Sequence, residues 1–269
     1  MLNRWASGML LLAAALAVSP EVFSQVLAQS AAQPGAAQPV PDFSGVWERR
    51  GMGPGPEPGI GPDGAPAFGL TREEPPLLPG ALEQYRAVRT GPLRNRYDKA
   101  LDEFDPGLYC FPHGPTRLFT VPWPFELRQF PDVVFLLSEW DHWVRRIYLG
   151  RQGHPEGYPV SWMGHSIGKY ESDTLVVDTV NINDRAWLDA MGTPHSPDLR
   201  VVERFRRVSR DILEVRFLFD DPKTYSRPWT AKKLFKSQPP GVEIMEHVIC
   251  QDWMEIGKWR QPVLPPSVP

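Results

Sequence analysis

The most restrictive feature of this sequence is a repeated pattern in its second half, where apolar, β-branched segments alternate with short polar turns. Residues 139–143, 172–173 and 209–211 each lie between two such segments. Short polar turns of this kind join neighbouring antiparallel strands, so the pattern predicts three hairpins. We predict strands at 43–47, 118–121, 133–138, 144–149, 167–171, 174–182, 201–208, 212–219, 229–236 and 242–250.

This series of nine or ten strands predicts a mainly β fold. Consecutive antiparallel strands in such numbers usually close on themselves, because closure removes the exposed edges. We therefore predict an antiparallel up-and-down barrel, with a two-sheet sandwich as the alternative. Apolar residues at helical spacing in 79–104, interrupted at Gly91-Pro92, predict two short helices inserted near the N-terminus.

The N-terminus has the three parts of a secretory signal peptide. Arg4 supplies a positive charge, residues 9–18 are all apolar, and Val26-Leu27-Ala28 offers small residues for cleavage. The apolar run is about half the ~20 residues that span a bilayer, so a retained membrane anchor is the weaker interpretation. We predict a signal peptide at 1–28, a disordered spacer at 29–40, one β-rich domain at 41–260 and a Pro-rich tail at 261–269. The mature protein is then periplasmic or secreted.

The net charge limits the kinds of partner that this protein can bind, and the cysteine content indicates the compartment in which it works. A formal net charge of −3, with Lys and Arg scattered among Asp and Glu, argues against a nucleic-acid partner. No segment after the leader is long and apolar enough to predict stable membrane insertion. Cys110 and Cys250 are the two cysteines of a chain predicted to be exported, which favours a structural disulfide. Two separate thiols are the alternative.

Two segments are distinctive in order and spacing: GHSIGKYESDTLVVDT at 164–179 and PHSPDLRVVERF at 194–205. They resemble a large family of uncharacterised secreted bacterial proteins, and the similarity extends to 42–47, 145–155 and 221–229. The resemblance implies export and a shared fold, and it implies no particular activity.

This chain departs from the family pattern at two places. The family usually has Pro just before Arg after its first Cys, whereas here Cys110 is followed by FPHGPTR. Where the family has WEGDT, this chain has YESDT at 170–174, which replaces a turn Gly by Ser172. The start of the first strand, Gly45-Val46-Trp47, is also similar to the Gly-Xaa-Trp with which the first strand of lipocalins begins.

Three histidines stand beside Gly or Pro in predicted loops: His154, His165 and His195. Loops carry a large share of functional residues, and stacked hairpins would bring these loops to one mouth of the barrel. We predict that His165 and His195 act there as acid and base, with Glu203 or Asp178 fixing the tautomer. The alternative is that each histidine caps a turn or bonds a backbone carbonyl.

Arginine and tryptophan side chains complete the predicted site. An Arg that faces the inside of a barrel must be paired, either in a structural ion pair or with a carboxylate-bearing ligand. Tryptophan rings supply flat apolar walls to small-molecule pockets. We predict that Arg117, His154, Asp178, Arg204 and Trp162 bind substrate.

Metal-site spacings such as His-Xaa-His or His-Glu-Xaa-Xaa-His do not occur. We therefore predict no metal and no cofactor, although His154, His165, His195 and Glu203 would suit zinc if folding brought them together.

The sequence predicts a pocket for a small apolar or aromatic molecule, in a binding or carrier role. One alternative is a cofactor-independent isomerase, lyase, hydratase or hydrolase that uses His and carboxylate acid–base chemistry; another is an interaction module of the cell envelope. A carrier requires an apolar cavity with few ionisable groups, whereas an enzyme brings titratable groups within hydrogen-bond reach. An interaction module exposes a broad apolar patch.

Overall fold

The computed structural model describes residues 40–49, 64–66, 68–90, 105–246 and 249–250. Within these ranges nine strands form one closed barrel, in which each strand pairs with the next along the chain and the last pairs with the first. The predicted mainly β barrel is thereby confirmed. The strands are β1 (Gly45–Arg49), β2 (Phe125–Gln129), β3 (Val133–Ser138), β4 (Val144–Leu149), β5 (His165–Glu171), β6 (Thr174–Val180), β7 (Arg200–Ser209), β8 (Ile212–Asp220) and β9 (Trp229–Ser237).

Two short α-helices accompany the barrel, α1 (Pro79–Thr90) and α2 (Gly114–Arg117), with 3₁₀ turns at Pro106–Tyr109 and Trp140–His142. The first helix predicted from the sequence is confirmed as α1, which ends just before the Gly91-Pro92 break. The second predicted helix, around 97–104, lies outside the described residues. So do the predicted signal peptide, nearly all of the predicted spacer and the Pro-rich tail.

One pair of neighbouring strands departs from the predicted antiparallel order. β4 and β5 are parallel, with Tyr148 opposite Ile167. A parallel pair requires the chain to return to the end at which it started, which takes a crossover of about a dozen residues or more. Residues 150–164 make this crossover, and they bring His154 to the outer wall of the barrel.

Two predicted strands are wrong, and one strand was missed. Residues 118–121 form turns after α2, and 242–246 lie outside the strands. Because β9 already pairs with β1, the barrel leaves no free edge at which 242–246 could add a strand. The missed strand is β2, a short segment whose first residue follows Pro122-Trp123-Pro124.

Alternation along the strands directs one set of side chains into the barrel and the other set outward. The inner set is largely aromatic and aliphatic, and Phe119, which enters from the segment after α2, packs against Phe125, Phe205, Phe217 and Phe235. All five rings are at most 2% exposed. The barrel interior is therefore a packed core at this level.

Cys110 and Cys250 form a disulfide, as the sequence predicts, with Cα atoms 5.4 Å apart. The bond ties the 3₁₀ turn at Pro106–Tyr109 to a position beyond β9. Among the residues that the structure describes, no helix has the length and apolar character needed to cross a membrane.

Candidate functional site

The outer face of β5 to β7 carries three of the predicted site residues, and the 150–164 crossover adds a fourth. His165 on β5, Asp178 on β6 and Arg204 on β7 point outward, because they alternate with residues that face the core. The ring of His154, from the crossover, packs against that of His165. The structure thus brings four side chains predicted from separate loops and strands to one wall of the barrel.

The two histidines touch each other directly. Their Nδ1 atoms are 2.7 Å apart, so one ring donates a hydrogen and the other accepts it. Tyr148 stacks on His165, and Tyr158 covers it from the crossover, which leaves His165 2% exposed. Burial lowers the pKa of His165, and nearby His154 and Arg151 lower it further. His165 is therefore neutral at pH 7.

Asp178 connects the histidine pair to β7. Arg200 donates from Nε and Nη2 to the two carboxylate oxygens of Asp178, at 2.8 and 2.7 Å. On the other side, His154 Nε2 lies 3.6 Å from Asp178 Oδ2. Burial alone would raise the pKa of Asp178, but the bonds and charge of Arg200, together with His154, outweigh burial and lower it. Asp178 is thus a carboxylate at neutral pH, close to the His154 ring but beyond hydrogen-bond distance from its Nε2.

A groove runs across the outer face of β5 to β9 beside this cluster; we call it the outer groove. Its first lobe, over β5 to β7, has a volume of about 420 Å³, and its second lobe, between residues 64–73 and β7 to β9, has about 660 Å³. Val202 and Arg204 line both lobes, so the two are adjacent. The strand residues that give the groove its apolar floor are Ile167, Val176, Val202 and Leu218.

Cations outnumber acids along the outer groove. Its lining includes the cations Arg72, Arg151, Lys169, Arg200, Arg204, Arg216 and Lys232 and the acids Glu73, Glu171 and Asp178. Arg204 stands at the junction of the lobes and donates from Nη2 to Glu171 Oε2 at 2.9 Å. Arg204, predicted from the sequence to bind substrate, lines this groove on the outer wall of the barrel.

Glu203 lies on the opposite side of the wall. It points into the core, where it is 0% exposed and accepts hydrogen bonds from both terminal nitrogens of Arg145. Arg145 also donates to Ser166 and Thr179, so the charge pair sits in a buried polar network. The barrel wall therefore separates Glu203 from the outward-facing His165.

His195 occupies a third environment, in the loop between β6 and β7. Its Nδ1 donates to the backbone carbonyl of Ser196 at 2.9 Å, and the residue is 8% exposed. Burial lowers the pKa of His195, although the bond to Ser196 and the charge of Asp221 oppose this shift. These contacts match the alternative interpretation, in which a histidine bonds a backbone carbonyl and stabilises a loop.

Arg117 and Trp162 lie near the disulfide. Arg117 is buried in α2 and donates to Asp105 at 2.8 Å, an internal ion pair of the kind considered from the sequence. Trp162 stacks on Phe111, with ring centroids 5.2 Å apart, and Arg185 covers the same indole. Neither predicted substrate-binding residue lines the outer groove.

Several residues of the outer groove were not predicted from the sequence, above all Arg200, Arg216 and Lys232. The available signal was the alternation along β7, where Arg200, Val202 and Arg204 share one face. Among the described residues, no three His, Cys, Asp or Glu side chains are grouped so that they could hold a metal ion.

Comparison with models of known protein families finds none that matches this chain, and no curated protein matches it in sequence.

Proposed function

We propose that this protein binds a small, largely apolar molecule in the outer groove. The observation that carries the proposal is the pair of adjacent lobes over an apolar floor, with Val202 and Arg204 lining both. Concave sites of several hundred Å³ with apolar surface are typical of small-molecule binding, and ten charged residues line this one.

The packing of the core supports the outer wall as the binding site. The Phe119 ring packs among four other buried phenylalanines, so a ligand at this level of the barrel would have to displace a close-packed cluster. The outer groove needs no such rearrangement.

We further propose that the protein works outside the cytoplasm, as the N-terminal sequence and the family resemblance predict. The Cys110–Cys250 disulfide supports this proposal, because disulfides persist mainly in oxidising compartments.

The proposed binding is tested with N-phenyl-1-naphthylamine, a neutral dye whose fluorescence rises in apolar surroundings. Replacing both Val202 and Leu218 by Ser removes apolar floor from the groove, and we expect the dye affinity to fall about tenfold. Val208→Ser is the matched control, because Val208 is an exposed valine of β7 that does not line the groove. Equal affinities for the double variant and the original protein would refute the proposal.

The histidine pair favours a second candidate function, acid–base chemistry beside the first lobe, whose lining includes Asp178 but neither histidine. The specific observation is the 2.7 Å contact between His154 and His165, with Asp178 behind His154 and at the lobe wall. Hydrolysis of 4-nitrophenyl butyrate provides the assay. We expect turnover that His165→Gln abolishes and that Gln at the exposed His142 leaves unchanged. Similar rates in both variants would exclude this function for the pair.

A further inference from the structure

Three cations stand side by side on neighbouring strands of the outer groove. Arg204 on β7 is directly opposite Arg216 on β8, and Arg216 is directly opposite Lys232 on β9. We call these three residues the cationic row. Like charges in directly opposite positions destabilise a sheet, so the row carries a cost that opposite charges in the same places would avoid.

Acidic residues approach the cationic row from one side. Glu171 pairs with Arg204, and Glu214 accepts two bonds from Arg216. Strand register places both acids in the next cross-strand row, toward the end of the barrel where β7 and β8 connect. Lys232 has no carboxylate within ion-pairing distance among the residues described.

Apolar residues border the opposite side of the cationic row. In the adjacent cross-strand row, Val202 lies opposite Leu218, and both line the groove. The acids therefore contact the arginines from one side of the cationic row. The other side of the row borders the apolar floor of the groove. A ligand lying over Val202 and Leu218 would meet the three cations along one edge.

We propose that the ligand of the outer groove is an anionic amphiphile. Its apolar body lies over Val202 and Leu218, and its carboxylate or other acid group lies against Arg204, Arg216 and Lys232. This inference rests on the proposed function and specifies the ligand class. Planar guanidinium groups match a carboxylate well, because they donate two parallel hydrogen bonds to its two oxygens.

Two dyes with the same ring system separate this inference from the proposed function. 1-Anilinonaphthalene-8-sulfonate carries an acid group, whereas N-phenyl-1-naphthylamine lacks it. We expect the full-length oxidised protein to bind the sulfonate about eightfold more tightly than the neutral dye, because each of the three exposed charge contacts contributes about a twofold gain. Raising the salt concentration should narrow this difference, because the cations are exposed.

Variants of the cationic row test whether these three residues cause the preference for the sulfonate dye. The triple variant R204Q/R216Q/K232Q should lose about eightfold in affinity for the sulfonate and keep its affinity for the neutral dye. The double variant R204Q/K232Q leaves Glu214 paired and tests the same effect if the triple variant fails to fold. The control variant R146Q/R206Q/K236Q also removes three cations of the barrel strands, all of them outside the groove lining.

Each outcome has one meaning. Equal binding of the two dyes overturns the anionic ligand and leaves the proposed function in place. Failure of both dyes to bind at millimolar protein overturns both. An equal loss in the control variant shows that net charge, not the row, attracts the sulfonate. Displacement of the sulfonate by octanoate but not by 1-octanol identifies a carboxylate as an acceptable head group.

Discussion

The charge pair inside the barrel gives the sharpest test of the packing. Arg145 and Glu203 have 1% and 0% of their side chains exposed, and their partners Ser166 and Thr179 are equally enclosed. Glu203→Gln removes the negative charge with almost no change in volume. It leaves the Arg145 guanidinium in the core with neutral partners only.

The expected loss follows from the burial. Removing one member of a buried ion pair typically costs about 3–5 kcal/mol, because the remaining charge loses its counter-charge without regaining water. Replacing Arg145 and Glu203 together by Met removes both charges, so we expect a cost of less than about 2 kcal/mol. The surface variant Glu171→Gln, at a carboxylate with 39% of its side chain exposed, should cost far less, because water screens an exposed ion pair.

Urea unfolding followed by tryptophan fluorescence measures these free energies, with the disulfide kept oxidised. The double Met variant should be markedly more stable than the sum of the losses of Arg145→Met alone and Glu203→Met alone predicts, which is the signature of coupled residues. The reasoning is wrong if Glu203→Gln costs no more than Glu171→Gln, or if the double variant shows the additive loss.

Three further perturbations act on separate parts of the molecule. The pKa values of His165 and His195 are lowered below the ordinary 6.5, so the unfolded chain binds more protons as the pH falls through that value, and the free energy of unfolding should decrease from pH 7 to pH 5. Replacing Cys110 and Cys250 by Ser opens a link across 140 residues and should lower the free energy of unfolding by about 5 kcal/mol. Gly164→Ala should cost about 2 kcal/mol or more, because Gly164 has φ +64° and its added Cβ would lie 2.5 Å from a β6 carbonyl oxygen.

Urea midpoints of matched variants check these three expectations. Gln at His165 and His195 should flatten the pH dependence of the free energy of unfolding, and an unchanged slope in that variant contradicts the assigned histidines. Reduction by dithiothreitol should lower the free energy of unfolding as much as the Ser variants do. A free energy that does not change on reduction contradicts the expected contribution of the disulfide. Ala at Gly153, where no atom lies within 4 Å of the new Cβ, should be nearly neutral.

The strands that the sequence located correctly are those with strong local patterns. β3 and β4 have the predicted limits, and β5 to β9 differ from prediction by a few residues at their ends, because apolar alternation and turn residues act over a few positions. β2 was missed because it is short and follows two prolines. Residues 118–121 are apolar, as a strand would be, but Phe119 fills the core from a turn.

Only part of the candidate site could be predicted from the sequence. The histidines and Asp178 were identified as polar residues in loops and strands, but their meeting depends on the parallel crossover between β4 and β5. Glu203 and Arg204 show the same limit, since they are adjacent in sequence and face opposite sides of the wall. Alternation along a strand shows that adjacent side chains point to opposite faces of the sheet. Only the assembled barrel shows which of the two faces inward.

The sequence by itself determined the β character, most of the strands and the pairing of the two cysteines. These depend on properties that nearby residues carry, such as period-two alternation, turn chemistry and the number of thiols. The tertiary structure decided how the barrel closes, where the chain crosses over, and which residues meet. Arg145 reaches Glu203 across 58 positions, and Arg204 meets Arg216 and Lys232 through strand register. Such contacts depend on the pairing of whole strands, and no short segment of the chain encodes them.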